Sequence, residues 1–228
     1  MLPEQSVTSP PIGLSLRDIT ISFDGQTRVL DGLNLEVTSG EIIALVGASG
    51  CGKSTLLRAI AGLQAMQMGS VYRNSSEFYG ESGGIAFVFQ EATLLPWRTV
   101  FENVQLPIEL NSTKTSHQLS SSQLSDRVSS ALQSVQLPED CWSKFPRQLS
   151  GGMKMRTSIA RALVTDPKLL LLDEPFAALD DLLRTKLNML LLELWQVKQQ
   201  TILFLTHNIA EGAWVSHRIS VLGNGKVK

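Results

Sequence analysis

The run Gly47-Ala48-Ser49-Gly50-Cys51-Gly52-Lys53-Ser54-Thr55 limits the folds open to this chain more than any other feature. The apolar stretch Ile42 to Val46 precedes it, and Leu56, Leu57, Ile60 and Ala61 follow at helical spacing until Gly62. A glycine-rich loop between a buried strand and a helix turns successive backbone N–H groups toward one anion, at the positive end of the helix. Lys53 is then placed to reach the β- and γ-phosphates of a nucleoside triphosphate. Ser54 offers a hydroxyl to magnesium, which prefers oxygen ligands. The complete GxxxxGK[ST] pattern in this context is specific, and it demands an α/β fold.

A chain of 228 residues suits one large α/β domain or a core with a subdomain. A net charge of −1 leaves no basic excess for a nucleic-acid partner. Cys51 and Cys141 lie far apart without CxxC spacing, which argues against a disulfide framework or zinc site and for a reducing cytosol. No apolar stretch approaches the ~20 residues needed to cross a bilayer, so membrane contact is expected only through other proteins.

Residues 1–13, with Pro3, Pro10 and Pro11, read as a flexible tail, leaving 14–228 as a single domain. Leu14 to Phe23 and Leu33 to Val37, joined through a turn at Asp24-Gly25, read as an N-terminal antiparallel β-layer. Further strands are expected at Ile85 to Gln90, Lys168 to Leu172, Thr201 to Leu205 and Ile219 to Leu222. Helices are expected at Asp126 to Val135, Gly151 to Val164 and Asp181 to Gln196, with Asn111 to Ser125 as an exposed connector. The alternation favours a mostly parallel sheet. Residues 91–164 interrupt it with helices only, so they are expected to form an inserted α-helical subdomain between the core segments 14–90 and 165–228.

Leu169 to Leu172 run into Asp173-Glu174, at the carboxyl edge of a buried strand where ligands of open α/β sheets collect. There Asp173 can serve magnesium, while Glu174 turns to the water that attacks the γ-phosphate. About twenty residues upstream, Leu149-Ser150-Gly151-Gly152-Met153 opens a helix. Its hydroxyl and free N–H groups favour an anion, yet the chain holds no second phosphate loop for them to serve.

In combination these motifs resemble the nucleotide-binding subunit of an ATP-binding cassette (ABC) transporter, from about Leu14 to Val227. Leu149 to Met153 is similar to the family signature, with Met153 where Gln is commonest; Lys154-Met155-Arg156 departs from the usual Gln-Arg, while Ile159-Ala160-Arg161-Ala162-Leu163 fits. The resemblance implies a P-loop NTPase core, ATP and Mg²⁺ as ligands, ATP hydrolysis, and a head-to-tail homodimer. In such a pair Ser150, Gly151 and Gly152 of one chain cover the γ-phosphate held by the other chain's loop, through Gly47, Ser49, Gly50, Cys51, Gly52, Lys53, Ser54 and Thr55. Cys51 contributes there as a loop member, with no role for its thiol.

The same resemblance makes Gln90 the glutamine that senses magnesium and the attacking water. It places Asp180, in Ala178-Leu179-Asp180, in the loop crossing the dimer interface, and makes His207 the switch histidine at the γ-phosphate. Phe23 falls where an aromatic ring stacks on adenine. His117 and His217 lack ligand spacing and read as surface residues. Glu91 to Val104 is similar to the importer segment that receives a helix from the membrane subunit, with Leu95-Pro96-Trp97 as the anchor.

That motif and the Met-Lys-Met-Arg variant look most like cassettes of the nitrate, sulfonate and taurine importer group. The implied partners are transmembrane permease subunits docking near Leu94 to Val104 and a solute-binding protein, with no nucleic acid. The implied location is peripheral, on the cytoplasmic face of the inner membrane. Importer cassettes commonly continue for a few helices past the position of Lys228. A soluble ABC ATPase of DNA repair or translation is the competing reading; such proteins usually carry coiled coils, zinc modules or basic surfaces, which this sequence lacks.

Overall fold

A computed structural model of the chain describes residues 13–23, 27–73, 76–77, 84–112 and 120–227. The Asp24-Gly25 turn, His117 and residues 1–12 of the tail lie outside them. In chain order the elements are β1 (Leu14–Ser22), β2 (Arg28–Val37), β3 (Ile42–Val46), α1 (Lys53–Ile60), β4 (Met68–Arg73), β5 (Ser76–Glu77) and β6 (Ile85–Val88). There follow α2 (Val100–Ser112), α3 (Ser121–Ser134), α4 (Gly151–Leu163), β7 (Leu169–Asp173), α5 (Asp181–Lys198), β8 (Thr201–Thr206), α6 (Ile209–Val215), β9 (Arg218–Gly223) and β10 (Lys226–Val227).

The larger sheet has the order β10-β9-β3-β8-β7-β6 and is parallel except for the β9–β10 pairing. Its central strands are buried on both faces, which is why they read as unbroken apolar runs. The pleat sends Ile42, Ala44, Leu170, Leu172, Ile202 and Phe204 into a core shared with α2, α3, α4 and α5. Ile43, Leu45, Leu169, Leu171, Leu203 and Leu205 enter a second core with α1 and the antiparallel sheet β2-β1-β4-β5. The expected P-loop NTPase architecture, a mostly parallel sheet with an antiparallel β-layer, is the one observed.

Among the described residues only helical elements lie between β6 and β7: α2, α3, α4 and short 3₁₀ turns at Glu139–Cys141 and Pro146–Gln148. Two expectations in this region need correction. Asn111 to Ser125 is not one connector, because α2 runs to Ser112 and α3 begins at Ser121 rather than Asp126. Ser120 accepts from the backbone of Gln123 while the Gln123 side chain bonds back to Ser120, a capping box that starts the helix inside the Ser-rich run. Likewise β2 starts at Arg28, five residues before the expected Leu33, because Asp31 and Gly32 break its apolar alternation without ending it.

The register brings the chemistry together. Val46 lies beside Thr206, and Asp173 beside Leu205, so β3, β8 and β7 end side by side. The phosphate loop, His207 and Glu174 leave the sheet from these adjacent ends.

Candidate active site

Two loop glycines are required by geometry. Gly52 caps α1 with φ 102°, and a Cβ there would stand 2.9 Å from Leu30 Cδ2. A Cβ on Gly47 would meet the Leu222 carbonyl oxygen at 2.4 Å and Cys51 Sγ at 2.8 Å. The Cys51 side chain thus fills space against the loop, in keeping with a packing role for its thiol.

Lys53 is buried, its ammonium donating to the carbonyls of Gly47 at 2.8 Å and Ala48 at 3.1 Å, with Glu174 Oε1 at 3.4 Å. Ser54 Oγ donates to Asp173 Oδ1 at 2.8 Å. Burial pushes the Asp173 carboxyl above the usual carboxylate range; the Ser54 hydrogen bond, Arg58 and Lys53 oppose this only in part, and neighbouring Glu174 adds to it. Glu174 has φ 45°, a conformation few residues other than glycine adopt. That turn breaks strand alternation, so Asp173 reaches Ser54 while Glu174 reaches Lys53. Glu174 Oε2 also lies 2.8 Å from Nδ1 of the exposed His207, so the carboxylate is held from both sides.

A stability prediction follows from the raised Asp173 carboxyl. A group whose folded value exceeds its unfolded one costs stability when ionised; the cost is complete above the folded value and vanishes as pH falls below the unfolded one. Asp173→Asn should therefore raise the melting temperature of the nucleotide-free protein at pH 7, the difference shrinking toward acid, while hydrolysis is lost. Calorimetry across this pH range checks it; a lower melting temperature at pH 7 would refute it.

The signature residues stand apart from their own chain's loop. Among the described residues no hydrogen bond or ion pair joins Ser150, Gly151 or Gly152 to residues 47–55. Ser150 is the exposed N-cap of α4, accepting from the Met153 N–H at 3.3 Å. Gly151 is exposed, whereas a Cβ on Gly152 would stand 2.6 Å from Leu183 Cδ2, so α4 presses here on α5. Asp180 is exposed and caps α5 by accepting from the Leu183 N–H. Gln90 lies two residues beyond the end of β6, exposed and with no hydrogen bond to a described residue. Phe23 is 67% exposed, which rules out a core role, and Trp97 at 70% likewise stands clear of the core. Ser49 is exposed and Thr55 half-buried.

Sequence reasoning missed Asn103. Fully buried, it donates to the carbonyls of Leu95, Arg98 and Thr99 and accepts from the Leu95 N–H at 2.8 Å, shaping the turn that displays Trp97. Its place three residues into a helix after a Pro-Trp turn was the available signal. His217 was also misread. Its Nδ1 accepts from the Ile42 N–H at 3.0 Å and its ring packs on Trp195, so it pins the start of β3 rather than lying idle on the surface.

A phosphate loop at the carboxyl edge of a parallel sheet, with acids on the next strand but one, defines the class: a P-loop nucleoside triphosphatase. Comparison supplies the family. The sequence profile described as ABC transporter matches residues 30–177. An aliphatic sulfonates import ATP-binding protein of Pseudomonas syringae pv. tomato is 40% identical over 95% of this chain and 73% of its own length. One of the same name from Bacillus cereus is 39% identical over 90% and 81%. Among solved structures, a dimeric bacterial ABC transporter cassette superposes with a TM-score of 0.84 at 32% identity, covering 94% of this chain and 96% of that one. A post-hydrolysis dimer of an ATP-binding cassette bound to ADP and Pi gives 0.83 at 32% identity, with the same coverage. The chain belongs to the ABC transporter family, and it is an ATP-binding ATPase of that family.

Proposed function

We propose that this chain is the ATP-hydrolysing subunit of an importer for a small sulfonate-type solute. Two copies would pair head to tail beneath separate permease subunits, peripheral to the cytoplasmic face of the membrane and served by a solute-binding protein. The observation that carries the reading is the exposure of Ser150 and Gly151, an anion-binding helix start with no phosphate loop of its own chain bonded to it. Among the described residues no helix is long and apolar enough to cross a membrane, so transport requires other chains. The names of the relatives supply the solute class.

In this reading Phe23 stacks on the adenine and the loop amides of Gly47 to Thr55 hold the phosphates. The arriving triphosphate competes for Lys53 with the Gly47 and Ala48 carbonyls and with Glu174. Ser54 and Asp173, two oxygen donors already 2.8 Å apart, suit Mg²⁺, with Gln90 as a further ligand. When bound, that ion neutralises charge on the β- and γ-phosphates. Glu174, released by Lys53, orients the attacking water and accepts its proton. His207 turns to the γ-phosphate, and Ser150 and Gly152 of the second copy, positioned by Asp180 at the interface, close the site.

The deciding experiment combines this chain with its permease and solute-binding protein in vesicles and measures ATPase activity with and without an alkanesulfonate. Stimulation by the sulfonate is expected. Hydrolysis that ignores the permease and solute but rises with DNA or ribosomes would favour the competing reading. Within that system, Trp97→Ala should weaken permease association about 30-fold, as loss of a buried aromatic anchor does, without altering hydrolysis by the cassette alone. Unchanged association would remove Trp97 from the docking surface.

A further inference from the structure

Glu211, in the first turn of α6, is a buried carboxyl to which no ion pair is formed by any described Lys, Arg or His. A buried acid without a cation is costly, and breaking even requires that its hydrogen bonds be complete. Here they are. The Thr206 hydroxyl donates to Oε2 at 2.5 Å, and Asn188 Nδ2 of α5 donates to Oε1 at 3.0 Å. The Glu211 N–H donates to Asn208 Oδ1 at 3.1 Å, and the Asn208 N–H donates to Thr206 Oγ1 at 3.0 Å. Two residues flanking His207 are thus each bonded twice within this network, while the His207 side chain itself bonds only to Glu174.

Other features of the surroundings agree. Asn188 Oδ1 is buried without a partner, so the amide gives its donor to Glu211 at the expense of its own acceptor. Such an arrangement is poor for stability and effective for holding a carboxyl in place. At Gly212 a Cβ would stand 3.2 Å from Ala44 Cβ, so α6 lies tight on the sheet. The turn carrying His207 has little freedom once Glu211 is fixed.

We infer that Glu211 is a positioning residue for His207, acting through Thr206 and Asn208, and that it governs γ-phosphate cleavage without touching the nucleotide. This rests on the assignment of His207 to the γ-phosphate. Misplacing a reacting group by about 1 Å can cost up to 10²-fold, so Glu211→Ala should lower kcat by about 10–100-fold while leaving the affinity for MgATP within about twofold. Glu211→Gln should retain most turnover. Its oxygen still accepts from Thr206, and Asn188 can rotate its amide to accept from the new N–H.

The test is a double-mutant cycle on the full chain, with kcat and MgATP affinity read for Glu211→Ala, His207→Ala and the pair. Removing Glu211 should change kcat by less than about twofold once His207 is gone, because the two act as a unit. Should Glu211→Ala fold poorly, Thr206→Val cuts the same link and carries the same expectation. Wild-type kcat in Glu211→Ala or Thr206→Val, or an equal proportional loss with and without His207, would overturn the inference. Wild-type turnover in His207→Ala alone would instead overturn the histidine assignment on which it stands.

Discussion

Glu174→Gln is expected to bind MgATP within about twofold of wild type while turnover falls by ~10²–10⁴-fold, the range that a positioned general base contributes. The substitution keeps side-chain size, and the left-handed turn at φ 45° is no harder for glutamine than for glutamate. The amide oxygen can still meet His207 Nδ1, where Oε2 now lies at 2.8 Å. What disappears is the negative charge 3.4 Å from Lys53 and the ability to take a proton from water. Loss of that charge frees the ammonium for the phosphates, so affinity should hold or rise. With hydrolysis blocked, the ATP-bound pair should persist and elute as a dimer in size-exclusion chromatography. Single-turnover kinetics with the variant decides the matter: cleavage at the wild-type rate would remove Glu174 from the chemistry.

Much of the core was legible because buried parallel strands carry their signal locally. Leu169 to Leu172 and Ile202 to Leu205 face apolar cores on both sides, so each residue alone announces burial. The antiparallel layer was harder. In β4 the half-exposed sequence Met-Gly-Ser-Val-Tyr-Arg buries only Val71, too little for an alternation to show. Helix α3 had a readable capping box at Ser120 and Gln123, hidden within a composition that otherwise suggests a connector.

At the candidate site the motifs located Lys53, Ser54, Asp173 and Glu174, because each sits beside a strand end or glycine with its own signature. The geometry joining them was not legible. Nothing in Leu-Asp-Glu-Pro announces a left-handed residue that turns two adjacent acids to one side. His217 and Ile42 are 175 residues apart in sequence, and their bond exists only because β3 and β9 are neighbours in the sheet. The Asn103 and Glu211 networks depend in the same way on where loops return.

The second large effect concerns the site that one chain cannot finish. Gly151 is exposed, and a Cβ there would meet only Leu179 at an ordinary 3.6 Å, so Gly151→Asp should fold normally. A carboxylate in the first turn of α4 is even favoured by the helix dipole. Facing the γ-phosphate of a partner copy, the same charge repels, and hydrolysis should fall by about 10²-fold or more, as when one preorganised donor to a developing anion is lost. Lys53→Ala should be as inactive for the opposite reason, losing the ammonium while keeping an intact signature. Each mutant's loop or signature is sound where the other's is defective. In an equal mixture, random pairing makes about half the dimers mixed, each with one of two sites intact, so up to about a quarter of wild-type activity should return. A phosphate loop served by its own chain's signature predicts no recovery, since every chain then carries a lesion in its own site. ATPase activity measured before and after mixing separates the two arrangements, because only exchange of subunits brings a sound loop opposite a sound signature.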